Sequence, residues 1–101
     1  MIVENFKEWF RVHERRFKLA FSSIDFETNS QESNPAANLV LLDSKVLVQI
    51  IVWERGFCDL EMISAETAEA LLYEHREVTN LHELNSVLDL FLEFIEKRDS
   101  K

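Results

Sequence analysis

The 101-residue chain contains one glycine, one proline and one cysteine, and each scarcity excludes something. A single glycine, Gly56, cannot build a glycine-rich phosphate cradle or a dinucleotide-binding fingerprint. A lone Cys58 cannot close an internal disulfide, so a reducing cytoplasm is the expected compartment. No apolar run approaches the roughly 20 residues that a membrane helix needs. The opening MIVENFKEWF has early acids and lacks the apolar core of a secretory signal. The histidines at 13, 75 and 82 show no zinc-site spacing with cysteine or acid support. Acid pairs are so plentiful that none stands out as an acid–base dyad. The expectation is a protein without cofactor, metal or catalysis of its own.

What remains is a chain of ordinary globular balance, 47% hydrophobic and 30% charged, which is enough to bury one core and so to form a single domain over 1–101. Nineteen acids against eleven bases give a net charge of −8. The distribution is uneven. Residues 1–20 carry a local excess of two positive charges (Lys7, Arg11, Arg15, Arg16 and Lys18 against three glutamates). Residues 54–93 hold ten acids against Arg55 and Arg76. Such a field repels nucleic acid and attracts basic proteins, although it also serves solubility.

Hydrophobic spacing organises the chain. Phe6, Trp9, Phe10, His13, Phe17 and Ala20 form one face of a helix over 5–20, with Asn5 and Glu8 in the positions of an N-cap and its reciprocal carboxylate. On that stripe His13 reads as a core histidine. Asn80 and Glu83 repeat the capping pattern before a second helical stripe of Leu84, Val87, Leu88, Phe91, Phe94 and Ile95 that runs to about Lys97. Between the helices the period falls to two. Residues 21–28 read as a strand, the polar stretch 29–37 as a loop, and NLVLL, KVLVQIIVW and FCDLEMI as three further strands. Asp43-Ser44 marks one turn, and Glu54-Arg55-Gly56 a three-residue loop with glycine where a left-handed residue belongs. Residues 65–79 fit a short helix through Ala68, Leu71, Leu72 and His75. They also alternate, with Leu72 and Val78 on one side and Leu71, Tyr73 and His75 on the other, which favours a last strand. The predicted fold is α+β: an antiparallel meander of four to five strands with both terminal amphipathic helices packed on one face.

The turns imply a register. The second loop sets Trp53 opposite Phe57, Val52 opposite Cys58, Ile50 opposite Leu60 and Val48 opposite Met62; the first sets Leu41 opposite Val46 and Leu39 opposite Val48. One face then collects Leu39, Leu41, Val46, Val48, Ile50, Val52, Cys58, Leu60 and Met62, all apolar, and is the expected core. There Cys58 would be an inert buried thiol. The other face collects Asn38, Val40, Leu42, Lys45, Leu47, Gln49, Ile51, Trp53, Phe57, Asp59, Glu61 and Ile63. It is too apolar for a merely solvated surface and too polar for a second core. Asp59 and Glu61 lie roughly 7 Å apart on one strand, with no cation expected opposite them. A Trp–Phe pair beside acids suits an interface anchor with an electrostatic guide. The candidate partner-binding residues are Trp53, Phe57, Asp59 and Glu61, with Glu54, Glu66 and Glu69 around them. The alternative is that a helix or the 29–37 loop covers the aromatics.

Taken together, the acidic charge, the bracketing helices, the VWERGFCDLE hairpin and the LLYEHREV segment resemble the bacterial immunity proteins of contact-dependent growth inhibition and related polymorphic-toxin systems. The WERG hairpin and YEHREV segment are similar to the TriTu type, whose partners are tRNase toxins that work with elongation factor Tu. The resemblance implies an antitoxin that binds a basic, RNA-cleaving toxin domain, touches neither nucleic acid nor membrane, and meets elongation factor Tu only through the toxin. Immunity families share no catalytic motif, so no functional residue is carried over. Two other readings compete: an acidic adaptor or subunit docking a basic protein with no toxin involved, and a small hydrolase using an acid–histidine pair.

Overall fold

The computed structural model describes residues 1–29 and 33–97. Helix α1 (Ile2–Ala20) is followed by strands β1 (Ser23–Asn29), β2 (Ala36–Leu42), β3 (Val46–Trp53), β4 (Phe57–Ser64) and β5 (Ala70–Glu77), and by helix α2 (Leu81–Glu96). The strands form one antiparallel sheet in the order β1-β2-β3-β4-β5. The ambiguous segment 65–79 thus supplies the fifth strand. Of the loop expected over 29–37, residues 30–32 lie outside the described residues, and β2 begins earlier than its apolar run, at Ala36.

The nine inward residues named above are all buried, in a single cluster with Phe6, Trp9, Phe10 and Phe17 of α1 and Leu84, Leu88, Phe91, Leu92 and Ile95 of α2. Of the expected stripes, His13 and Val87 are half-buried and Ala20 and Phe94 are exposed, and Leu92 is buried in addition. Helix α1 lies over β1–β3, with the Phe10 ring stacked 4.8 Å from Phe26 and Phe6 5.5 Å from it. Helix α2 covers the β4–β5 side, where Val87 and Phe91 meet Leu60 and Leu72. Between the helices the contacts keep a constant sequence offset of 80: Asn5 Nδ2 donates to Asn85 Oδ1 at 2.9 Å, the Trp9 indole N–H to Asp89 at 3.0 Å, and Arg16 to Glu96 at 2.5 Å. A constant offset means parallel helices. Topology requires it, since five antiparallel strands between two helices reverse the chain an even number of times.

Two expectations are corrected. Helix α1 starts at Ile2, so Asn5 is an interior residue whose side chain bridges to α2 and caps nothing. At the β2–β3 turn the pairing is Leu42 with Leu47, Leu41 with Val48 and Leu39 with Ile50, two residues away from the expected register. The reason is a wider turn: the Asp43 carboxylate accepts from the Lys45 and Val46 amides at 2.8 Å, and Asp43 N–H donates to the Val46 carbonyl. A slip of two leaves every side chain on its predicted face, because side chains alternate with period two. The β3–β4 register is as expected, with Gly56 at φ +104°. The Asn80 cap also holds: its Oδ1 accepts from Glu83 N–H at 2.8 Å. The Glu83 carboxylate reaches one residue further back than the reciprocal pattern, to the amide and hydroxyl of Thr79. Those bonds hold the Glu83 carboxyl below its ordinary pKa.

Candidate partner-binding face

Both helices occupy one side of the sheet, so among the described residues no helix covers the other side. The registers arrange it in rows that cross all five strands. One row runs Asn29, Ala36, Trp53, Phe57 and Glu77. The next runs Glu27, Asn38, Ile51, Asp59 and His75, and the third Asp25, Val40, Gln49, Glu61 and Tyr73. Leu42, Leu47 and Ile63 lie beyond. The centre is apolar and only half-buried at Val40, Leu47, Ile51, Trp53, Phe57 and Ile63. Acids stand at Asp25 and Glu27 on β1, Asp59 and Glu61 on β4, and Glu77 on β5. No strand position on this face is lysine or arginine. Lys45, expected among these residues, sits in the β2–β3 turn.

Trp53 and Phe57 are neighbours across the β3–β4 hairpin, as expected, and neither is covered by a helix. With Asn34 and His75 they line a shallow depression of about 270 Å³. That is smaller than the roughly 300–1,000 Å³ of small-molecule pockets, and of a size for a partner's side chain. The loop that could have covered the aromatics contributes Asn34 to its wall.

Asp59 is not unopposed. Strand β5 places His75 directly across from it, and Nδ1 of His75 is hydrogen-bonded to Asp59 Oδ1 while its ring stacks on Phe57 at 5.6 Å. In the β3–β4 register itself Ile51 faces Asp59 and no cation does, as expected; His75 arrives on the other side with the next strand. Glu61 also has no cation opposite, standing between Gln49 and Tyr73. Near the centre of the face the Gln49 side chain donates to Asn38 Oδ1 at 3.1 Å, leaving a small polar bridge among aliphatic neighbours.

Three predicted acids lie elsewhere. Glu66 and Glu69 are exposed in the turn after β4, at the far end of the hairpin and some 20–25 Å from Trp53 at ~3.3 Å per strand residue. Glu54 is engaged inside the molecule: its Oε2 accepts from the N-terminal ammonium at 2.9 Å and the Ile2 amide at 3.0 Å, and its Oε1 from the Val3 amide at 3.0 Å. A turn residue of the sheet therefore caps the first helix from 50 positions away in sequence. Partial burial pushes the Glu54 carboxyl up, but these hydrogen bonds outweigh it and leave the carboxyl below its ordinary pKa. No local pattern marks this cap; the one available signal is an acid in a turn beside a helix start that has no capping side chain of its own.

Burial, with the charge of Asp59 beside it, pushes the Cys58 thiol up to about 11, so the thiolate needed for nucleophilic chemistry is suppressed. His13 is half-buried with Nδ1 2.8 Å from the Trp9 carbonyl and its ring on the Trp9 indole. Among the described residues no helix is long and apolar enough to cross a membrane.

A protein-family model described as Immunity protein TriTu matches residues 4–94. The match spans nearly all of α1 and α2 and all five strands, so it covers the open face entire. No curated protein matches the chain.

Proposed function

The chain belongs to the TriTu immunity protein family, and from that premise we propose that it neutralises a cognate toxin in the cytoplasm by occupying it with the open face of the sheet. The toxin is a basic, RNA-cleaving domain, and elongation factor Tu meets the immunity protein only through it. A domain that cleaves RNA needs cations around its active site. An acidic surface complements those cations, speeds encounter and excludes the substrate with no chemistry of its own. Trp53 and Phe57 are the anchors, Asp59 and Glu61 the contacts for the toxin's cations, with Asp25, Glu27 and Glu77 at the margin. Glu66 and Glu69 contribute at long range. Glu54 is left out, because its oxygens already serve α1.

The observation that carries this reading is the composition of the open face: apolar, half-buried positions in the centre, acids at Asp25, Glu27 and Glu77 on the edge strands and at Asp59 and Glu61 on β4, and no lysine or arginine on any strand position. The test is a titration against the cognate toxin domain. Trp53→Ala should weaken binding by roughly 2 kcal/mol or more, as a central aromatic anchor does. The association rate should fall steeply with ionic strength, since steering is screened over about 8–10 Å near physiological salt. A Trp53→Ala protein that stays folded and binds as tightly as the parent would remove the open face from the interface.

A further inference from the structure

Among the described residues the sheet ends at two edge strands, β1 and β5, and they are not alike. On β5, Glu74 and Arg76 point to the helix side and bind each other at 2.7 Å, and a bulge interrupts its pairing with β4. Inward charges and bulges are the devices by which edge strands discourage further pairing. Strand β1 has neither. Its inward positions are Ile24, Phe26 and Thr28, its pairing with β2 is regular over seven residues, and it contains no proline or lysine.

Beside that edge, Lys7, Arg11 and Lys18 on the outer flank of α1 stand with Phe10, Ile24 and Phe26 around a cleft of about 410 Å³. Glu14 also faces it, paired with Lys18 at 3.3 Å, and Arg11 contacts Glu8 at 3.6 Å. The cleft keeps an excess of positive charge over an apolar floor. On the opposite side of the same strand the side chains are Asp25 and Glu27. The edge is thus positive above and negative below.

We propose that the outer edge of β1, over Ser23–Thr28, receives a sixth strand from a partner protein, an extended segment whose side chains alternate between acidic toward the helix layer and basic toward the open face. Backbone pairing would give the affinity and the alternating side chains the selectivity, as in other strand-addition complexes. A second copy of this chain does not fit. Antiparallel self-pairing of β1 sets Asp25 against Glu27 on one side and the two cationic flanks against each other on the other. The inference does not depend on Trp53 or on the proposed toxin.

The experiment uses the full chain and synthetic heptapeptides. An alternating lysine–glutamate peptide should slow amide hydrogen exchange in Ser23–Thr28 at least tenfold, and a peptide of four lysines followed by three glutamates should not. The triple change Lys7→Glu, Arg11→Glu and Lys18→Glu should abolish the protection. Adding Asp25→Lys and Glu27→Lys to that triple variant should restore it, because the alternating peptide then fits after slipping by one residue; a merely unfolded variant could not be rescued in this way. Equal protection by the block peptide, no protection by the alternating one, a rescue that fails in a folded protein, or a β1-paired dimer of the free chain would each overturn the proposal.

Discussion

Glu54 offers the sharpest test of how this fold is held together. Its carboxylate takes three donors at the start of α1, at 2.9–3.0 Å, while projecting from the β3–β4 turn. Loss of a helix cap costs about 0.5–2 kcal/mol, and a negative charge at a helix N-terminus adds about 0.3–1 kcal/mol at low salt. The side chain is about a third exposed, so screening trims the charge contribution. Glu54→Ala should therefore cost about 1–2 kcal/mol at neutral pH, and Glu54→Gln, which retains one acceptor oxygen, about half of that. The pH dependence has a definite sign. The folded-state pKa lies below the ordinary 4.5, so the stabilisation is complete above 4.5 and is lost as pH falls through the depressed value. Urea melts of parent and Glu54→Ala proteins from pH 7 to pH 3 should thus converge toward the acid end. A deficit that is the same at both ends of that range, or absent at pH 7, would refute the assignment of Glu54 as a charged cap.

The other predictions concern the hairpin, the core and the interface. At Gly56 an added Cβ would lie 2.5 Å from the Val78 carbonyl oxygen with φ at +104°, so Gly56→Ala should destabilise by roughly 2–3 kcal/mol in denaturant melts. Val48 and Leu60 are buried in the centre of the inner face, and replacing either by alanine should cost roughly 2–4 kcal/mol through the cavity left behind; near-neutral values would mean that the two sit elsewhere. Asp59→Lys with Glu61→Lys should leave the circular dichroism spectrum unchanged and slow association with the cognate toxin at least tenfold at low salt, by replacing attraction with repulsion. If that double variant folds and still protects cells fully, the contact surface is not β4.

The fold was legible because period two is forgiving. The Asp43 turn holds two more residues than the sequence suggested, yet Leu39, Leu41, Val46 and Val48 stayed on the inner face, since only an odd slip changes faces. Asn5 shows the opposite case. A capping signature is local and common, and here the apolar residues Ile2 and Val3 extend the helix by a turn because they pack against the core cluster. The cap that the longer helix needs then comes from Glu54, a contact of long sequence range that no window of ten residues can contain. The arrangement of the candidate face was half visible for the same reason. Trp53, Phe57, Asp59 and Glu61 share one hairpin, so its loop fixed their common face. His75, Asp25 and Glu27 join them only through the pairings of β5 and β1, which sequence alternation suggests but does not register.

Why this sheet keeps an apolar open face follows from its topology. Two helices on one side already bury Leu39, Leu41, Val48, Ile50, Val52, Leu60 and Met62, so the core is complete without any outward residue. An antiparallel sheet with one solvated face can afford polar residues at every outward position. Here the central strands instead carry Val40, Leu47, Ile51 and Ile63 outward around Trp53 and Phe57, and two of the outward acids are confined to edge strand β1 and one to edge strand β5. That arrangement keeps like charges apart along the margins and leaves a dry centre. Asp59 and Glu61, both on the inner strand β4, are the exceptions, and Asp59 is the one that His75 holds in place. Folding alone asks for none of this, because the same alternation with serine or threonine outward would satisfy both the register and the core. These features are what the proposed contact surface rests on, apolar where a partner would exclude water and acidic where a basic partner would approach.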